Sequence, residues 1–108
     1  SVLVIRYGGA DALRAVPLAD FERDLAAMVA LAQAAGKRVL LVGVIATATG
    51  ETDDFDLAVE RTADAHGTGF VDVRAVPYTL PDDLADAVHP AQAWSDRITA
   101  AIAQALGT

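Results

Sequence analysis

The sequence has no cysteine, only two serines and two histidines, and just 8 lysines and arginines against 15 aspartates and glutamates. Each shortage excludes something. Without cysteine there is no disulfide and no thiolate nucleophile or metal ligand. The formal net charge of −7 disfavours nucleic acid or an anionic membrane surface as the main partner, because both reward clustered lysine and arginine. No run of about 18 apolar residues occurs, so neither a membrane span nor a signal peptide is expected within these residues. The serine shortage matters most for chemistry, since Ser1 and Ser95 are the only internal candidates for a serine nucleophile.

What is present reads as part or all of one folded domain. A chain of 108 residues buries a core with little stability to spare, and 54% hydrophobic residues exclude a disordered segment. Val2–Ile5 is a short apolar run broken by Tyr7-Gly8-Gly9. After Pro17, the spacing predicts a helix with Leu18, Phe21, Leu25, Met28 and Ala32 on one face, closed by Gly36. Residues 39–45 are apolar on both faces, as a buried parallel strand is. Residues 55–66 predict a second helix ending at Gly67, and Phe70–Val73 a third strand. The last helix is expected from about Ala91 to Leu106, with Trp94, Ile98, Ala101, Ile102 and Ala105 facing the core. The order β-α-β-α-β-α calls for an α/β fold, a partial parallel sheet of about three strands with right-handed crossover helices.

Ligands of such sheets bind at the carboxyl ends of the strands, so the loops YGGADALR, ATATGETDD and AVPYTLPDDLADAVHP carry the candidates. In the last, Asp86 and His89 are three residues apart, a spacing that brings both to one side of a helical turn. There an aspartate accepts the imidazole Nδ1–H and leaves Nε2 free as a base; the plainer reading is a surface turn before a helix that starts at Pro90. In the first loop, Gly8 and Gly9 allow sharp turning and close approach to a ligand, and Asp11 can cap the next turn. Tyr78 and Leu80, between Pro77 and Pro81, either line an apolar acyl or aryl pocket or roof the core. His66 reads as a helix C-terminal cap. Asp53, Asp54 and Asp56 suit a hard cation, or more simply the start of a helix; no metal site and no cofactor is expected. Arg6 and Arg14 read as solvated charge. Ser95 reads as part of a solvated helix face, and Ser1 opens the wrong end of its strand to serve as a nucleophile.

Taken together, VLVIRYGGADALRAVPLADFERDLAAMV, RVLLVGV and DAVHPAQAWSDRIT resemble the SGNH (GDSL-type) hydrolases, particularly arylesterase and lysophospholipase-like members. The resemblance spans the chain, in order, and covers that family's third and fifth conserved blocks. It implies a flavodoxin-like three-layer α/β/α fold and Ser-His-Asp ester hydrolysis, with His89 as general base and Asp86 as its orienting partner. Gly8, Gly9, Ala10 and Asp11 would then form the oxyanion loop, and a small ester or acyl group would be the substrate.

Two departures qualify the resemblance. The family's third block reads Gly-x-Asn-Asp, and alanine stands at position 10 where the amide helps hold an oxyanion. Losing one such donor costs about 2.7–4 kcal/mol of transition-state stabilisation. The blocks that carry the nucleophile and the oxyanion glycine are absent, so residues 1–108 are expected to be the C-terminal part of a single SGNH domain. Three alternatives follow: an esterase component whose serine lies in another segment, an inactive binding or interaction module, or a proteolysed or engineered fragment. In each, the apolar strand at Val2–Ile5 presents an open edge for the rest of the domain or for self-association.

Overall fold

Three strands, β1 (Val2–Arg6), β2 (Arg38–Val42) and β3 (Gly69–Val71), pair in the order β1-β2-β3, every pair parallel. The structure is a computed structural model that describes residues 1–8, 11–12, 14–86 and 89–107. Helices α1 (Leu18–Ala34) and α2 (Asp53–His66) make the crossovers, and α3 (Gln92–Ala105) follows the sheet. Strand side chains alternate between faces. On β2, Val39 and Leu41 enter one cluster with Phe21, Leu25 and Val29 of α1 and Phe55, Ala58 and Val59 of α2. Leu40 and Val42 enter another with Val71, Val73, Trp94 and Ile98. β2 is therefore apolar throughout because it is central and covered on both sides. The result is a three-layer α/β/α architecture, as the element order requires.

The helix limits have local causes. α1 begins after Pro17, whose fixed φ of −55° suits a helix start. It ends where Gly36 takes φ +77° and the Lys37 N–H reaches back to the Ala32 carbonyl at 3.0 Å. Its buried face is Phe21, Leu25, Val29 and Ala32. Met28, expected on that face, is 39% exposed; the neighbouring Val29 holds the i+4 position from Leu25 and Met28 turns about 100° away. α2 starts at Asp53, two residues before the expected Phe55, with three aspartates in its first turn where the helix dipole favours anions. It ends on Gly67 in the left-handed region at φ +64°. The His66 imidazole Nδ1 lies 3.0 Å from the Thr62 carbonyl, in keeping with its reading as a C-terminal cap.

β3 stops at Val71, short of the expected Val73. The Asp72 side chain accepts the Arg74 N–H at 3.0 Å, and its carbonyl accepts the Ala75 N–H at 3.1 Å; that side-chain turn replaces the strand ladder. In α3, Trp94 and Ile98 are fully buried and Ala101, Ile102 and Leu106 pack beside them. Ala105, expected in this face, is exposed, because the apolar stripe continues from Ile102 to Leu106, four residues on. At the other side of the sheet, nothing among the described residues pairs with the outer edge of β1. Val2, Leu3 and Val4 stand 42%, 38% and 39% exposed there. No helix among the described residues is long and apolar enough to cross a membrane.

Candidate active site

Because all three strands run the same way, the segments 7–17, 43–52 and 72–91 leave the sheet at one edge, its carboxyl edge. Asp86 and His89 lie in the third of these. The imidazole Nδ1 of His89 is 2.9 and 3.0 Å from the two carboxylate oxygens of Asp86, and one of those oxygens also accepts the His89 backbone N–H at 2.9 Å. A carboxylate can only accept, so the neutral ring that fits this contact carries its proton on Nδ1 and leaves the Nε2 lone pair open. The loop closes around the pair: the Ala85 N–H donates to the His89 carbonyl at 2.9 Å, and Leu84 bridges Pro90 in antiparallel fashion. The side chains are 72% and 56% exposed, so the pair is open to solvent.

The first segment is built around a backbone constraint. Gly8 has φ +125°, and a Cβ there would lie 3.0 Å from Phe21 Cζ and Val44 Cγ2, so no larger residue fits without displacement. The Ala12 N–H donates to the Gly8 carbonyl at 3.0 Å. The Tyr7 hydroxyl donates to the Asp11 carboxylate, and burial of the phenol followed by the negative charge of Asp11 push the Tyr7 pKa above its ordinary value. Tyr7 also stacks on Phe21 with ring centroids 5.3 Å apart. Gly9 and Ala10, the other two residues of the expected oxyanion loop, lie outside the described residues. Arg6 and Arg14 are exposed.

The Tyr78 ring stacks on Trp94 at 4.5 Å and 14°. Tyr78 and Leu80, both half-buried, pack against the second core cluster with Val76 and Leu84. Their inner faces roof Trp94, and their remaining exposed surface belongs to the segment that carries His89. Ser95 is half-buried, with its N–H donated to the Ala91 carbonyl at 2.9 Å. Ser1 lies at the amino end of β1, where its carbonyl accepts the Arg38 N–H at 3.0 Å.

Arg74, which no sequence pattern singles out, organises the middle segment. Its Nε donates to the Val44 carbonyl at 3.0 Å, and its terminal nitrogens donate to Asp53 at 2.6 Å and to the Thr52 hydroxyl at 3.1 Å. Thr52 in turn donates to the Ile45 carbonyl at 2.7 Å. Asp56 accepts the Val44 N–H at 2.7 Å and lies 3.4 Å from Arg74. Burial raises the Asp56 pKa above the ordinary carboxylate value, against the opposing pull of that N–H and of Arg74. The acidic run thus faces an arginine, and no group of three or more His, Cys, Asp or Glu among the described residues is arranged to hold a metal ion. An open hollow of about 540 Å³ between Gln33, Lys37, Arg38 and Gly67–Gly69 lies at the opposite, amino-terminal edge, away from the histidine.

The parallel sheet between two helical layers is a hydrolase-type α/β fold, and two solved structures share that fold. One is a crystal structure of a protein named TesA, with a TM-score of 0.77 and 28% identity over 97% of this chain. The other is that of LAE5, an alpha/beta hydrolase enzyme from the metagenome of Lake Arreo, Spain, with a TM-score of 0.82 and 24% identity over 98% of this chain. The chain spans 61% and 59% of the lengths of those two proteins. No protein-family model matches the sequence, and no curated protein matches it.

Proposed function

We propose that residues 1–108 are the C-terminal part of an SGNH-type ester hydrolase domain. Asp86 and His89 would supply two members of a Ser-His-Asp site and another segment the serine. The observation that carries this reading is the Asp86–His89 contact at the carboxyl edge, with Nδ1 bonded and Nε2 free. In this mechanism His89 Nε2 takes the serine proton as the oxygen attacks the ester carbonyl. It then returns that proton to the leaving alcohol, and the cycle repeats with water. Asp86 holds the ring in the required tautomer and stabilises the imidazolium that forms. Gly8, Gly9 and Asp11 would shape the oxyanion loop, with Ala10 contributing no side-chain donor. Tyr78 and Leu80 would border the acyl or aryl group of a small substrate.

The open edge of β1 supports the same reading. A parallel strand that is apolar and uncovered fits beside a further strand from the rest of the domain, and the solved neighbours are longer by about two fifths of their length. A second reading, an inactive module that keeps the fold, draws on Ala10 standing where a donor is wanted. Hydrolysis of a p-nitrophenyl ester by the complete protein separates the two. Turnover that falls about 10⁴–10⁶-fold in His89→Ala supports the catalytic pair; turnover unchanged in that variant removes His89 from the mechanism.

A further inference from the structure

We propose that Asp83, held by Arg97 of α3, is the positioning residue that fixes where the Asp86–His89 pair stands over the sheet edge; this rests on the reading of that pair as catalytic. The pair cannot hold itself in place. An exposed ion pair of this kind contributes little, whereas ordering the backbone of the segment around it carries a larger entropy cost. The order must come from elsewhere, and the bonds converge on Asp83. Its N–H donates to the Thr79 carbonyl at 2.8 Å, and its own carbonyl accepts the Ala91 N–H at 2.7 Å. One carboxylate oxygen accepts both the Thr79 N–H at 2.7 Å and an Arg97 N–H at 3.1 Å. The segment from Asp83 to Ala91, which contains Asp86 and His89, is therefore tied at both ends through one residue.

Arg97 supplies the rigid side of this tie. It follows Trp94 by three residues and precedes Ile98, and both of those are fully buried under the sheet. α3 cannot shift without unpacking them. The Arg97 Nε is buried without a hydrogen-bond partner, so the guanidinium keeps its reach to Asp83 at the expense of another bond. Asp83 is better shielded than the pair it supports, its side chain being 19% exposed, and its ion pair is correspondingly less screened.

The test uses the complete protein, with Asp83→Asn, Arg97→Met and Arg97→Lys. Long-range proton–nitrogen NMR of the His89 ring reads its tautomer without reference to activity. Asp83→Asn and Arg97→Met are expected to admit the Nε2–H form beside the Nδ1–H form of the parent, and Arg97→Lys to restore the parent spectrum. In esterase assays the same two variants are expected to lose about 10–100-fold in kcat with KM unchanged. A His89 tautomer that stays as in the parent in both Asp83→Asn and Arg97→Met overturns the proposal. Arg97→Met keeps the question open to measurement if Asp83→Asn does not fold. A tautomer change in a protein that turns over no ester upholds the positioning role and removes the catalytic reading instead.

Discussion

At the scale of single residues, the Asp86–His89 contact is local in sequence. Three residues of separation bring carboxylate and imidazole within reach of each other, 2.9 and 3.0 Å apart, while where the pair stands over the sheet is set by the tie from Arg97 through Asp83. That locality is why the contact could be read from the letters DAVHP. Asp83 and Arg97 could not be read that way, nor could Arg74 and its partners. The Arg97–Asp83 pair and the Arg74 hydrogen bonds span 14 to 30 residues and exist only once sheet and helices are packed. The expected acidic-loop alternatives around Asp53 and Asp56 met the same limit, since the arginine they face comes from after β3. Position 10 yields a prediction at this scale. If Ala10 stands where an amide donor is wanted, Ala10→Asn raises kcat toward ester substrates, by up to about 10²-fold. An unchanged kcat would assign the oxyanion to other donors.

At the scale of elements, the sequence showed all three strands and all three helices in order, because apolar period and glycine placement decide them. It was less exact about faces and ends. Met28 and Val29 are adjacent and both apolar, so composition does not say which of the two a helix will bury. Packing on Phe21 and Leu25 chose Val29. β3 ended early because Asp72 turned its side chain onto the backbone of Arg74, a choice no hydropathy pattern contains. The junction of β2 and α2 carries a pH prediction. Asp56 has a raised pKa in the fold, so the folded state favours its neutral form. Its contribution to stability is therefore full below the ordinary carboxylate range and lost as pH rises through the folded-state value. Urea melts of the parent and Asp56→Asn, taken in steps from about pH 3.5 to 8, are expected to show the parent's relative stability falling across that rise. A pH-independent difference would mean that Arg74 offsets the burial fully.

At the scale of the whole molecule, the asymmetry of the sheet stands out. β3 is covered by α3 and the long segment behind it, while β1 leaves three apolar side chains and a row of backbone groups uncovered. Such edges recruit further strands. Residues 1–108 on their own are expected to sediment as species larger than a monomer at micromolar concentration. Val4→Lys, which places a charge on the uncovered face, should shift them toward the monomer in analytical ultracentrifugation. A parent chain that stays monomeric would leave the edge without an occupant.

Arg74 also has a kinetic meaning. It joins Val44, Thr52 and Asp53 to the residue just beyond β3, so none of its bonds can form until the third strand has docked. Such contacts are expected to form on the native side of the folding barrier. Arg74→Met, losing about 1.5–3 kcal/mol of charge-assisted hydrogen bonding, is then expected to speed unfolding roughly ten- to hundredfold while the refolding rate stays unchanged. Stopped-flow measurements in urea would read both limbs. In that picture one arginine sets how long the folded molecule lasts and has no part in how quickly it forms.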